Sequence, residues 1–493
     1  MEVELKLLLD PQDNELLLQH PLLGAPARVQ QLTAHYFDTP DLHLLRHGAG
    51  LRVRTVDGEW VQTMKAGGSV QSGLHSRNEW EGVIDRAWPR LGKLRKLIGD
   101  DVHWLAILAA PDLKDRLESL FVVDVQRHVW DVESGGNRIE VALDVGHIER
   151  QSRKVRVNEV ELELKDGDPA GLYAFALQLL EDIPVRISNI NKAQRGYMLV
   201  RETAHAPYHA QALQLDADAS LREALPAVLG NCLEHIQRNE VAVIEGHDPE
   251  TLHQMRVGVR RLRSALKLFA SVAPCPPALQ QDIDWLGTEL GAARDWDVLL
   301  SSTLARVTAT SGGQLQTLAL ETVHAKRRQA AQALLSPRYT HLMLTLGSWI
   351  LQVAPLLNGS AVQFSRQIMQ QLHKSLLKRA NRMDQDDPSS AHRTRIAAKR
   401  ARYALEFFHT LYRKRTARAY LKALAATQEE LGQHNDLAVA DRLLRALAQD
   451  HPEADGEIQF ARGYLVAQQT AQPADLDAIR SRLHTLRLPH IKH

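Results

Sequence analysis

Two cysteines, Cys232 and Cys275, are all that a chain of 493 residues contains. That is too few for a disulfide framework or a Cys-based zinc centre, and their spacing matches no thiol redox motif. Aromatic residues are scarce at 5%, which leaves little for stacking on nucleobases. No run approaches the ~18 apolar residues that a membrane span needs, and the start MEVELKLLLD is acidic where a signal peptide would be basic. The expectation is a cytoplasmic protein without a membrane partner. Net charge is nearly absent too, at +1 with 44% hydrophobic and 24% charged residues, which is the composition of folded domains and not of a disordered chain. The length allows two or three domains.

The neutral total conceals a division. Residues 1–200 carry 24 Lys+Arg against 30 Asp+Glu, and residues 201–493 carry 36 against 29. Short alternating runs such as IEVALDVGHI and VNEVELELK fill the first part and predict strands. Beyond about residue 215 the chain turns Ala- and Leu-rich with helical periodicity, broken at APCPPA, SGG and DQDDPSS. The expected organisation is a β-rich domain over 1–200, a linker over 201–216 and a helical domain over 217–485.

Residues i and i+2 share a strand face. The first strand therefore sets Glu2, Glu4 and Lys6 against Val3, Leu5 and Leu7, and the pattern recurs with Arg52 and Arg54, Thr63 and Lys65, Arg77, Glu79 and Glu81, and Glu159, Glu161, Glu163 and Lys165. A solvated outer face explains one such strand. Five of them set like charge beside like charge, and the repulsion is relieved if carboxylates hold hard divalent cations while guanidiniums grip phosphate oxygens. Strands closing into a barrel with these faces inward meet both needs, with the apolar faces outward beneath helices such as DPAGLYAFALQLLE and the neighbouring domain.

On Glu2-x-Glu4-x-Lys6, followed in order by HYFDTP, GLRVR, TMK, RNEWE, IEVALD, ELELK and KAQRGY, the first 200 residues resemble the CYTH superfamily of triphosphate tunnel metalloenzymes. The resemblance implies a closed antiparallel β-barrel tunnel that binds a linear triphosphate with Mg²⁺ or Mn²⁺. It implies phosphate contacts from Lys6, Arg52, Arg54, Lys65, Arg77, Arg127 and Lys192, and metal contacts from Glu2, Glu4, Asp144, Glu161 and Glu163. Glu2, Glu4, Lys6, Lys65, Glu161 and Glu163 form the expected catalytic set, and Glu79 and Glu81 orient basic side chains. Asn191 stands before Lys192 where the family usually has Ser.

The helical part repeats itself. HQMRVGVRRLR at 253–263 and HRTRIAAKRAR at 392–402 lie 139 residues apart with the same order of His and basic residues, and LGAARD and LGQHND follow as related turn signals. At ~100° per residue, His253, Arg256, Arg260, Arg263 and Lys267 share a stripe beside an apolar one, as do His392, Arg395, Lys399 and Arg402, with Arg261 and Arg400 to one side. The repeat resembles the CHAD domain, which implies an all-α domain of two pseudo-symmetric helical bundles that binds inorganic polyphosphate. His235 is a further candidate donor, stronger once protonated.

The expected fold is therefore multidomain α+β. The expected function is metal-dependent hydrolysis of inorganic triphosphate to pyrophosphate and phosphate, with polyphosphate held on the helical domain and granule association as a corollary. Thiamine or nucleoside triphosphatase, adenylate cyclase and a non-catalytic polyphosphate binder are the alternatives. Nucleic acid is the competing ligand for the basic helices, and the lack of interleaved aromatics counts against it.

Overall fold

The computed structural model describes residues 2–24, 26–56, 58–201, 206–246, 248–307, 313–471 and 475–492. Contacts divide the chain into two compact units, Met1–His205 with Pro337–Leu351, and Ala206–Ser336 with Gln352–His493. Residues 337–351, which the sequence reading assigned to the helical half, thus belong with the first unit.

In the first unit, β1 (Glu2–Leu8), β2 (Arg28–Asp38), β3 (Ala49–Val56), β4 (Glu59–Gln71), β5 (Leu74–Ile84), β6 (Glu118–Ser134), β7 (Asn137–Arg150) and β8 (Arg153–Asp166) pair in the order β5-β4-β3-β2-β6-β7-β8-β1. A further pairing of β1 with β5 closes the ring. These pairings are antiparallel. Closure requires β1 to serve two neighbours: Glu2–Leu5 pair with β5, and Glu4–Leu8 pair with β8. A short β9 (Arg186–Ile187) adds to the end of β1.

The alternation read in the sequence sorts the two faces. Leu51, Val53, Met64 and Ala66 point outward into a core shared with α1 (Leu91–Ile98) and α2 (Val102–Leu108), whose Leu91, Leu94, Ile98, Trp104 and Ile107 cover them. Leu172, Phe175, Ala176 and Leu179 of α3 (Ala170–Asp182) are fully buried. One arc of the inner wall is apolar, which the charge pattern did not announce. Leu32, Ala34 and Tyr36 of β2 join Val123 and Val125 of β6, and Tyr197 of α4 (Lys192–Arg201) packs into the same cluster. Phe121 stacks on Tyr36 at 4.7 Å and meets Tyr197 edge-on at 5.3 Å. A Cβ at Gly196 would lie 2.1 Å from the Phe121 ring, so only glycine lets α4 come this close.

The helical unit opens with residues 206–216, an irregular segment held by bonds of Tyr208 to Asn239, Gln211 to Asn231 and Leu215 to Thr410. The internal repeat is carried into geometry. α5 (Leu221–Gln237) and α8 (Ala361–Ala380) begin after Ser220 and Ser360, which bridge each other. Leu221 N donates to Gly359 O and Ala361 N to Ala219 O, both at 2.9 Å, a reciprocal pair of the kind a two-fold axis imposes. The basic helices α6 (Pro249–Phe269) and α9 (Pro388–Phe408) are each 21 residues long, and each is capped by an Asp, Asp248 or Asp387, ahead of a proline.

The expected turns LGAARD and LGQHND are instead inside α7 (Pro277–Val298) and α10 (Lys414–Asp450). Gly291 and Gly432 are not stops: a Cβ there would lie 3.7 and 3.4 Å from the guanidiniums of Arg256 and Arg395, so each glycine seats an arginine against a helix backbone. The side chains of 433–436 lie outside the described residues. Among the described residues, no helix is long and apolar enough to cross a membrane.

Candidate functional site

The inward faces of the ring enclose a cavity of about 540 Å³. Eight acidic and eight basic side chains line it, and every tunnel residue expected from the sequence is among them: Glu2, Glu4, Lys6, Arg52, Arg54, Lys65, Arg77, Arg127, Asp144, Glu161, Glu163 and Lys192. Glu79, Glu81, Glu140, Lys165, Thr63, Asn191 and Tyr36 complete much of the wall.

Strand register arranges these groups in rows. Glu4 of β1 stands beside Glu163 of β8, which stands beside Glu140 of β7. Two residues along, Lys6 faces Glu161, and two further on Glu159, Asp144 and Arg127 are adjacent across β8, β7 and β6. On the other side Arg52 faces Thr63, which faces Glu81, and Lys65 faces Glu79.

The rows differ in charge balance. In the first, Lys165 serves both Glu163 at 2.8 Å and Glu140 at 3.5 Å, and Glu4 bonds Lys6 at 2.7 Å. Burial, with Glu2 and Glu140 nearby, raises the Glu163 carboxyl above the ordinary range against the pull of Lys165. Burial and Glu2 likewise raise Glu79, although Lys65 lies 3.6 Å away. The last row is the reverse. Arg127 forks onto Asp144 at 2.6 and 2.7 Å and bonds Glu161 at 2.6 Å, while Lys192 touches Asp144 at 2.6 Å, Glu159 at 2.5 Å and Glu161 at 2.9 Å. Lys6 also bonds Glu161, and Arg195 bonds Glu159. Burial alone would raise Glu161, but Lys192, Lys6 and Arg127 outweigh it and hold the carboxyl well below its usual range.

Three guanidiniums are left with unmet demand. The Nε atoms of Arg52 and Arg54 are buried without a partner, and Arg52 reaches Glu79 only at 3.9 Å. Arg77 has no carboxylate within ion-pair distance among the described residues, and burial lowers its affinity for the proton.

A hard divalent cation fits this donor set, since carboxylate oxygens are its preferred ligands. Oxygens of Asp144, Glu159 and Glu161 lie within 4.8 Å of one another, the spacing a metal would need, yet each is already held by a Lys or Arg. Asp144 and Glu161, both expected as ligands, belong to this trio, and both are bonded by Arg127 and Lys192. In the row of Glu4, Glu163 and Glu140, Glu163 is the carboxylate short of positive charge, while Lys6 holds Glu4 at 2.7 Å and Lys65 holds Glu2 at 2.5 Å.

Residues 1–197 match the CYTH domain family and residues 227–445 the CHAD domain family. The crystal structure of the CHAD domain from Ricinus communis is 74% identical, with all of that chain and 59% of this one covered at a TM-score of 0.58. The chain joins a CYTH domain to a CHAD domain. Within the CYTH part, an inorganic triphosphatase of Haemophilus influenzae is 34% identical over 201 residues, which is 40% of this chain and 54% of the relative. The chain thus spans about half the length of that curated relative.

In the CHAD unit, α6 and α9 bring Arg256, Arg260, Arg395 and Arg402 together: burial first, then the other three arginines, lowers the Arg260 pKa. Arg256 is anchored on Asp295 at 2.6 Å and Arg263 on Asp284 at 2.7 Å, while His392 and Arg400 are exposed and Lys399 is half-buried. Three expectations change. Arg261 is 6% exposed, bonds Asn231 and lies over the Phe407 ring, so it braces the core. His235 is buried against Gln254. Burial and the surrounding arginines push His253 down to about 4, and burial does the same to His235, so neither supplies a charge at neutral pH.

Proposed function

We propose that the CYTH unit hydrolyses inorganic triphosphate to pyrophosphate and phosphate with Mg²⁺ or Mn²⁺, and that the CHAD unit binds inorganic polyphosphate. The observation that carries the first half is the pairing of opposite deficits across one cavity. Arg52 and Arg54 each keep a buried Nε without an acceptor and Arg77 has no ion pair among the described residues, and in the ring of eight, β3 stands four strands from β8, where the Glu163 carboxyl is raised. A linear triphosphate chelating a divalent ion supplies acceptors to one side and a cation to the other. The chemistry named for the Haemophilus influenzae relative supports the same reading.

Bound phosphates would lie between Arg52, Arg54 and Arg77 on one wall and Lys6, Lys65, Arg127 and Lys192 on the others. These cations neutralise the oxygens that repel an incoming water and the charge that grows on the departing pyrophosphate. Glu2, Glu4, Glu161 and Glu163 would hold the metal, which supplies Lewis-acid polarisation of the phosphoryl oxygens. Asp144 acts from behind by fixing Arg127 and Lys192. Glu79 and Glu81 orient Lys65 and Arg54, which they pair at 3.6 and 3.1 Å. Metal-dependent phosphate release from tripolyphosphate by the full chain, with Arg77→Met raising KM and lowering kcat, tests this.

For the CHAD unit, the support is the convergence of like-charged arginines from the two repeats, whose mutual repulsion a polyanion relieves.

A further inference from the structure

The sequence sets Glu159 on the charged face of its strand but gives it no role of its own. Its side chain has no exposure at all, and a carboxylate so far from water is costly unless its charge is met. Both oxygens are met from a single element: Oε1 by Lys192 and Oε2 by Arg195. These two residues are three apart on α4, so they project from one helix face, and they meet β8 where Glu159 is neighbour to Asp144.

Lys192 lines the cavity whereas Glu159 does not. The geometry of the three carboxylates around it invites a metal, but the ion pairs assign them otherwise. Asp144 and Glu161 share themselves between Lys192 and cations of the strands, Arg127 in both cases. Only Glu159 spends both oxygens on the helix. It is the carboxylate that holds two cations of α4 at once, Lys192 and Arg195.

We propose that Glu159 is a positioning residue that acts through Lys192, and that it binds no metal. The proposal rests on the triphosphatase reading of this cavity. It makes an unusual demand on kinetics. Neutralising Glu159 makes this end of the cavity more cationic, so triphosphate in the ground state is held no less tightly. Lys192 nevertheless keeps only Asp144 and Glu161, which it shares with Arg127, and shifted toward them it meets the charge developing in the transition state less well. The loss therefore falls on kcat and not on KM.

The test uses the full chain and three readouts. In Glu159→Gln, kcat for tripolyphosphate with Mg²⁺ falls about tenfold or more while KM is unchanged or lower. In a Lys192→Met background the same substitution costs less than about threefold, because the group it acts through is gone. Mn²⁺ titrated alone binds within about twofold of wild type. Acylation of the Lys192 amine, followed by peptide mass spectrometry without substrate, speeds up about fivefold or more in the Gln variant as the ion pair is lost. Glu159→Asp keeps the charge but shortens the reach, and gives smaller changes of the same sign should the Gln variant not fold. A tenfold loss of Mn²⁺ affinity would make Glu159 a ligand and overturn the proposal. So would an undiminished loss of kcat in the Lys192→Met background, or an unchanged rate of Lys192 acylation. Absence of turnover in wild type strikes the triphosphatase reading, while the Mn²⁺ and acylation readouts still decide the role of Glu159.

Discussion

At the scale of single residues, what decides a role is whether a charge has already been met. Lys192 and Arg127 have two or more carboxylates each, whereas Arg52 and Arg54 keep an unmet Nε and Arg77 has no ion pair among the described residues of the same cavity. The histidines obey the same accounting. His235 has a pKa of about 4 because burial, then the nearby Arg261, disfavours its charged form. A depressed pKa means that the unfolded chain binds the proton more readily. The stabilising effect is therefore complete above the unfolded value of about 6.5 and is lost as pH falls toward 4, about 3 kcal/mol over that window. Urea unfolding of the helical unit followed against pH should show this acid slope, and His235→Gln should flatten it. The inner face of the tunnel was legible at this scale because alternating ionised residues have few other uses. The destination of Arg261 was not, since a basic residue one step off a basic stripe reads the same in sequence whether it is solvated or buried under Phe407.

At the scale of elements, α4 matters more than its short length suggests. KAQRGY presents Lys192 and Arg195 to Glu159, and Gly196 and Tyr197 to the apolar arc of β2 and β6. Gly196→Ala should force the helix off Phe121, at a cost of about 1–3 kcal/mol in stability. It should also lower turnover, because Lys192 moves with the helix. Thermal melting and tripolyphosphate kinetics measure the two effects, and an unaltered kcat would show that α4 tolerates the shift. The ring closure and the strand faces followed from alternation, but the apolar arc did not, because inner-wall Leu32, Ala34 and Val123 resemble outward-facing residues when read alone. The glycines of LGAARD and LGQHND misled for a related reason. A glycine inside a helix reads as a stop, whereas here each lies mid-helix with an arginine guanidinium packed over it.

At the scale of the whole molecule, the proposed functions give two units of opposite charge balance one kind of ligand, phosphoanhydride chains. Polyphosphate binding by the protein should weaken as salt rises, with the logarithm of affinity falling linearly against the logarithm of salt. Arg260→Ala or Arg402→Ala should reduce that slope by about one each. Because His253 is neutral above a pKa of about 4, His253→Gln should leave the pH dependence of affinity between pH 8 and 6 unchanged. Filter binding against DNA and RNA competitors measures this, and a stronger response to nucleic acid would reassign the arginine cluster. The most direct measurement for the account is phosphate release by the full chain with Mg²⁺ or Mn²⁺ from tripolyphosphate, pyrophosphate, long-chain polyphosphate, ATP and thiamine triphosphate. Preference for tripolyphosphate, abolished by chelator and weakened in Arg77→Met, is the predicted result. Release from none of these, or cyclic AMP formed from ATP, would contradict it.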